Sequence, residues 1–401
     1  MGKVKITIED LFNIPSAVIY NPDVFKPVSS VVIDSRKVKK GSLFFAIKGE
    51  KFDGHDFILD AIKKGVIAVV INETQLKKFD FYRRDGFPLE TPIITVKNTT
   101  KAYGYLARMW RRKLSTKVIS ITGSNGKTTT KEMIAELLSE KFNVVKTEAN
   151  NNNHIGVPLT IFSANEKCEA LVLEQGTNHF GEIGYSAKIS EPDFALITNI
   201  GDSHLEFLKN REGVYKEKSA LLVITEKLGG KVILNMDDPF IRRNAKKYKN
   251  KITYGFKGNV DVKGKVLGFT EDGRTKIKVS CNKKSLVTTL PVYGESNAKN
   301  FLTACSIAFP IGLTEKQIIN GARKLKHVHG RSEVKKFEKA IIIDDTYNAS
   351  PASVESANEL VNRIKTFENK IVVLGDIYEL GGSSEKLHKG LSRLFISSAV
   401  K

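Results

Sequence analysis

Apolar residues recur along this chain in short runs spaced like alternating strands and helices. Within the first 100 positions, runs at 31–33, 43–46, 68–71 and 93–96 read as strands, and 57–64 carries apolar side chains at helical spacing. A small α/β domain over 1–100 is the expectation. Basic residues crowd a helical stretch at 101–113, and the apolar strand 118–122 that follows sits in a second domain over 101–327. There, apolar runs at 171–174, 194–200 and 232–234 are separated by helical segments. Continuous apolar strands alternating with helices predict a doubly wound, mostly parallel sheet buried on both faces. Residues 251–293 alternate around glycines and predict an appended antiparallel patch, followed by a helix at 297–309. Past residue 327, strands at 340–344 and 371–374 mark a third, Rossmann-like domain over 328–401, short for a dinucleotide-type fold. The fold class is α/β in three domains.

Composition narrows the function less than the pattern does. The 401 residues carry a formal net charge of +20, which points to an anionic partner, yet 41% hydrophobic content excludes a disordered polycation. Cys168, Cys281 and Cys305 are far apart, with no Cys-x-x-Cys pair, and fit a reducing compartment. Neither a signal peptide nor a run of about 18 apolar residues is present, so a soluble, cytoplasmic protein is expected.

The chemistry concentrates after the 118–122 strand. Thr122-Gly123-Ser124-Asn125-Gly126-Lys127-Thr128-Thr129-Thr130 stands between that strand and a helix at 131–141, the setting of a phosphate loop. Glycines let backbone N–H groups turn toward an anion, the helix N-terminus adds positive potential, Lys127 reaches the β/γ-phosphates and the Thr128 hydroxyl suits Mg²⁺. Ile121 stands where the strict Walker pattern has its first glycine, so the loop is a shortened variant. Two later strands end in Glu174 and in Asn199-Ile200-Gly201-Asp202-Ser203-His204, at the sheet edge where doubly wound folds bind ligands. A carboxylate and an imidazole there can hold a divalent metal beside phosphates. Asn150-Asn151-Asn152-Asn153 and Asn297-Ala298-Lys299-Asn300 offer neutral amides that read sugars, peptides or adenine.

With these motifs in order, the sequence resembles the Mur ligases, the ATP-dependent amide-bond-forming enzymes of bacterial peptidoglycan precursor synthesis. The shortened phosphate loop is theirs. Further points of likeness are Asp34-Ser35-Arg36, Gly41-Ser42-Leu43-Phe44-Phe45-Ala46 with Lys48-Gly49, Asn151-Asn152-x-x-Ile155-Gly156-Val157-Pro158 and Asn178-His179-x-Gly181-Glu182-Ile183. Asp344-Asp345-Thr346-Tyr347-Asn348-Ala349-Ser350-Pro351 and Gly375-Asp376 with Glu379-Leu380-Gly381 complete the set. The pattern is most like the branch that adds a dipeptide.

The resemblance implies ATP, a UDP-N-acetylmuramoyl-tripeptide and D-alanyl-D-alanine as small-molecule substrates, and a cytoplasmic protein, expected to be monomeric. It implies ATP contacts from Gly123, Ser124, Asn125, Gly126, Lys127, Thr128 and Thr129, adenine contacts from Asn297 and Asn300, and approach of Arg331 and Asp345 from the third domain. Mg²⁺ would be held by Thr128 and by Glu174 with His204, joined by a carbamylated lysine that falls at Lys218, with Lys216 as rival. Lys127, Glu174, His204 and Lys218 form the implied catalytic set. UDP would lie against Ser35, Arg36 and Lys48, the sugar-peptide along Asn151, Asn152 and His179, and the dipeptide near Tyr347 and Asn348. Two departures stand out: Ser296 replaces a family histidine before Asn297, and a late basic element reads Lys389-Gly390-Leu391-Ser392-Arg393. A ligase adding a single amino acid and a folylpolyglutamate-type ligase are the near alternatives. A nucleic-acid-stimulated ATPase is the distant one, and the chain has no aromatic-rich basic stripe for stacking bases.

Overall fold

A computed structural model of the chain describes residues 4–77, 91–271, 273–364 and 366–397, without the side chains of residues 393, 396 and 397. Arg393 of the late basic element thus lies outside the described side chains. The chain forms two compact units. The first comprises Met1–Thr116, Glu148–Glu169 and Lys188–Ser190, and the second Lys117–Thr147, Ala170–Ala187 and Glu191–Lys401.

The first unit is built on a five-stranded sheet of β1 (Val18–Tyr20), β2 (Ser30–Val32), β3 (Ser42–Phe45), β4 (Ala68–Asn72) and β5 (Ile93–Val96), ordered β1-β5-β4-β3-β2. Only β1 runs antiparallel to its neighbour. Every residue of β3 is buried, as a parallel strand covered on both faces requires. The basic helix Thr99–Lys113 is capped by Asn98, which accepts from Lys101 N, and ends in Arg111, Arg112 and Lys113, cations placed at the negative end of the helix dipole. Its inner face sets Tyr103 between Phe45 and Phe162, and Trp110 Nε1 donates to Ala164 O at 3.0 Å.

The second unit carries β6 (Lys117–Thr122), β7 (Val144–Lys146), β8 (Ala170–Glu174), β9 (Phe194–Ile197), β10 (Lys231–Asn235), β11 (Lys251–Gly255), β12 (Val262–Phe269), β13 (Arg274–Cys281) and β14 (Lys284–Tyr293). They form one sheet ordered β14-β13-β12-β11-β10-β9-β6-β8-β7. Pairing is parallel from β7 through β12 and antiparallel only at β12–β13–β14. The antiparallel patch expected over 251–293 is present over β12 to β14, and only its first stretch is corrected: β11 extends the parallel sheet, to whose edge the hairpins add. Strand alternation divides the core. Leu196 joins Ile119, Ile121, Ile134, Phe301 and Leu302 on one face, while Ala195 and Ile197 join Ile183, Leu221, Leu222 and Val232 on the other.

Beyond the sheet, β15 (Glu333–Lys336) pairs antiparallel with β16 (Ile341–Asp344), and the helix Pro351–Arg363 starts from a capping box between Ser350 and Ser353 with proline in its first turn. The strand expected at 371–374 does not form. Those residues pair with no strand, and Ile371 and Val373 are 78% and 94% exposed. A strand exists only against a neighbour, and β15 and β16 pair with each other among the described residues. No helix among them is long and apolar enough to cross a membrane.

Candidate active site

The phosphate loop leaves the C-terminal end of β6, between β8 and β9, and enters the helix Lys127–Leu138. Gly123 has φ +151°, and a Cβ there would lie 1.9 Å from Thr198 Oγ1; Gly126 has φ +77°, and its Cβ would lie 2.5 Å from Asn300 Oδ1. Only glycine fits either place. A second loop straps the first: Thr198 Oγ1 and Asn199 Nδ2 donate to Asn125 O at 2.6 and 3.0 Å, and Asn125 N donates to Asn199 Oδ1 at 3.0 Å. Ser124 and Ser203 hydroxyls share a 2.9 Å hydrogen bond, and Gly201 N donates to Ser124 Oγ. Lys127 Nζ folds over this loop, donating to Gly123 O at 2.8 Å and Ser124 O at 3.3 Å. Carbonyl oxygens satisfy its ammonium. Thr128 and Thr129 are half-buried in the first helical turn.

Around Lys127 the structure gathers the other charged groups expected at the site. Burial pulls the Lys127 pKa down, the Glu174 carboxylate opposes this, and the Arg331 guanidinium reinforces it. Glu174 ends β8 and is 2% exposed, its backbone N–H donating to Thr147 Oγ1 at 3.0 Å. Thr147 O in turn accepts from the buried Lys131 Nζ at 2.6 Å. Lys218 is fully buried on the helix Arg211–Lys227, and its Nζ has no hydrogen-bond partner. Desolvation, with Lys127 nearby, holds its pKa well below the ordinary lysine range, against a raising effect from Glu217. Lys216, two residues back, is exposed and lies over the Phe180 ring. His204, at φ +53°, precedes the short helix Leu205–Leu208, and burial is the main cause that lowers its pKa. Its Nδ1 is 2.5 Å from Glu379 Oε2.

A buried carboxylate, a half-buried imidazole and an unpartnered buried amine thus lie beside the phosphate loop. Carbamylated, the amine would become a second carboxylate-like ligand, and that donor set fits a hard divalent cation. Asp238 fixes the His204 loop from below, accepting from Ile200 N at 2.8 Å while capping the helix Pro239–Asn244.

The remaining expected residues separate by unit. In the second, Asn300 faces the phosphate loop, its Oδ1 accepting from Thr130 Oγ1 at 3.3 Å, whereas the buried Asn297 turns its amide back to Tyr293 O at 2.8 Å. Asp345 accepts from Ser332 N at 2.7 Å, and burial raises its pKa. Arg331 stacks on Tyr347 with its guanidinium carbon 4.2 Å from the ring centroid; Tyr347 and Asn348 are exposed. His179 sits on a loop held by two carboxylates: Glu182 accepts from Asn178 N and His179 N, and the buried Glu217 accepts from Gly181 N at 2.7 Å and Ile183 N at 2.8 Å. In the first unit, Ser35 is buried, Arg36 is exposed and doubly bonded to Asp34, and Lys48 is exposed. Asn153 Oδ1 accepts from Ile155 N and Gly156 N at the entry to the helix Gly156–Ser163. A Cβ on Gly156 would lie 2.3 Å from the Asn151 carbonyl carbon, which fixes the Asn151 backbone.

Sequence reasoning missed Thr147, Thr198 and Glu217, and it named Ser350, whose Oγ donates to Asn125 Oδ1 at 2.9 Å, only as part of a motif. It noted Glu379 as a motif residue without giving it a partner. Single side chains that brace a loop leave no spacing pattern to find.

Fold and site together define a phosphate-loop enzyme that uses a nucleotide. Residues 27–111 match the Mur ligase family catalytic domain and residues 121–308 the Mur ligase middle domain. The UDP-N-acetylmuramoyl-tripeptide--D-alanyl-D-alanine ligase of Bacillus subtilis is 34% identical over 96% of this chain and 82% of its own length. The enzyme of the same name from Escherichia coli is 30% identical over the same shares. A crystal structure of MurF from Acinetobacter baumannii superposes with TM-score 0.87 at 29% identity, covering 100% of this chain and 85% of that one. The MurF ligase of Thermotoga maritima in complex with ADP gives 0.81 at 30% identity, over 91% and 82%. The chain belongs to the Mur ligase family.

Proposed function

We propose that this chain ligates D-alanyl-D-alanine to UDP-N-acetylmuramoyl-tripeptide with ATP, giving the pentapeptide, ADP and phosphate. The observation that carries the reading is the cluster of Lys127, Glu174, His204 and Lys218 at one end of the sheet, in a chain that resembles UDP-N-acetylmuramoyl-tripeptide--D-alanyl-D-alanine ligases along nearly its whole length.

A carboxylate is a poor electrophile, so the terminal carboxylate of the tripeptide takes the γ-phosphoryl group of ATP, an acyl phosphate forms and ADP leaves. The amine of D-alanyl-D-alanine then attacks the acyl carbon, and collapse of the tetrahedral adduct expels phosphate and leaves the amide. Lys127 leaves its loop carbonyls for the transferring phosphoryl, and the strap of Thr198 and Asn199 holds the loop N–H groups on the anion. Thr128 and the group of Glu174, His204 and Lys218 would hold Mg²⁺, which when bound neutralises charge on the transferring phosphoryl. Lys218 is the modified lysine in this reading. A buried amine with a depressed pKa stays neutral, attacks carbon dioxide to form an N–C bond and releases a proton, whereas the exposed Lys216 lacks that environment. Asn300, Arg331 and Asp345 serve the nucleotide; Ser35, Arg36, Lys48, Asn151, Asn152 and His179 the sugar nucleotide; Tyr347 and Asn348 the dipeptide. By task the chain divides into 1–100, 101–327 and 328–401.

Phosphate release tests the reading, with UDP-N-acetylmuramoyl-tripeptide and D-alanyl-D-alanine both present or singly omitted. Turnover is expected only with both. Turnover with a single amino acid but not with the dipeptide would overturn it.

A further inference from the structure

His204 and Glu379 lie 175 positions apart, and their side chains meet at 2.5 Å, Nδ1 to Oε2. The approach is built by the backbone as well. Glu206 N donates to Glu379 O at 3.3 Å, and a Cβ on Gly381 would lie 3.3 Å from the Glu206 Cα. Both partners have positive φ, +53° at His204 and +63° at Glu379, conformations that side-chain-bearing residues adopt only when their surroundings impose them. The Glu379 segment is anchored from behind: Ile377 and Leu380 are buried with Val354 and Leu391. Lys218 and Lys127 are also near enough to act electrostatically on the His204 ring.

A neutral imidazole presents one N–H and one lone pair, and the partner of one nitrogen decides the role of the other. A carboxylate at Nδ1 accepts only, so the proton is held on Nδ1 and the lone pair is presented at Nε2. We propose that Glu379 is a positioning residue that fixes the orientation and tautomer of His204, readying Nε2 as a metal ligand. The proposal rests on the reading above that His204 serves the metal. Since Glu379 arrives from the 328–397 segment, the ligand set is completed only while that segment lies against the His204 loop.

The test uses the full chain labelled with ¹⁵N-histidine, the His204 signal being assigned by its loss in His204→Gln. The wild-type ring, observed neutral, is expected to show Nδ1 protonated and Nε2 bare. In Glu379→Ala the two tautomers mix, and the Kd for Mn²⁺, measured by electron paramagnetic resonance with a non-hydrolysable ATP analogue bound, rises about tenfold, the usual scale for a lost outer partner of a metal ligand. Glu379→Gln keeps an accepting oxygen and restores the Nδ1–H tautomer and most of the affinity. Glu379→Asp, which withdraws the carboxylate by one methylene, gives the alanine result in weaker form and serves if the alanine variant does not fold. An unchanged tautomer together with an unchanged Mn²⁺ Kd in the alanine and aspartate variants overturns the proposal. Failure of the wild type to ligate would instead remove the functional reading, while the tautomer result stands on its own.

Discussion

Lys218 places an ammonium group where an ammonium group is not stable: fully buried, without a hydrogen-bond partner, near a second lysine. Its folded pKa therefore lies well below the unfolded value near 10.5. Between those two values the unfolded chain holds the extra proton, so protonation favours unfolding and stability rises with pH across that window. Lys218→Met fills the same space without the amine. In metal-free buffer depleted of carbon dioxide, the variant is expected to melt higher than wild type by the equivalent of roughly 1–3 kcal/mol at neutral pH, the usual penalty for a buried polar group left unbonded. The gap should shrink as pH approaches 10, and ligation should be lost throughout; a gap independent of pH contradicts the burial argument. Lys127→Ala is expected to abolish phosphate release while moving the melting temperature little, because its ammonium bonds only loop carbonyls. Lys127, Glu174 and His204 were legible in the sequence because each ends a strand or opens a helix at the ligand edge of a parallel sheet. Lys218 was legible through family spacing alone, and burial supplies the physical ground for preferring it to Lys216.

Elements were the most readable layer, and their partners the least. Continuous apolar runs located β3, β6, β8 and β10 to within a residue or two, since strands buried on both faces leave no polar register to confuse the period. What the runs do not encode is pairing. The 251–255 strand reads like the hairpins that follow it, yet it joins β10 in parallel, and the apolar 371–374 run stays unpaired. The braces between elements are likewise invisible locally, and Glu217 is the clearest of them. Its carboxylate, 4% exposed, accepts the N–H groups of Gly181 and Ile183 at the start of the helix Glu182–Ser190. Glu217→Ala strands those donors, which is expected to destabilise the chain by about 1–3 kcal/mol in denaturant unfolding. Because the loop they close carries His179, KM for the UDP-peptide should rise more than kcat falls. Equal effects on both would place His179 outside substrate binding. Gly123→Ala acts on a different element: the added methyl collides with Thr198 Oγ1, which holds Asn125 O. Binding of an ATP analogue, followed calorimetrically, is expected to weaken at least tenfold.

For the molecule as a whole, the open matter is what a charge of +20 does. Charge alone points equally to nucleic acid and to small polyanions, and it was the phosphate loop and the strand-end groups, not the charge, that separated the two. If the excess serves ATP and a UDP-linked, carboxylate-bearing peptide, it acts at long range by raising their concentration near the site, while the bonding groups that fix them are few and close. Long-range attraction is screened by salt and short contacts much less so. Raising ionic strength from about 0.1 M to about 1 M shortens the screening length from about 10 Å to about 3 Å. KM for the UDP-peptide should therefore climb severalfold over that range while kcat changes by less than about twofold, since saturation removes the encounter step. DNA or RNA added at low salt should not stimulate phosphate release. A KM indifferent to salt would assign the lysines to solvation alone, and stimulation by nucleic acid would restore the ATPase reading that the sequence left as the distant alternative.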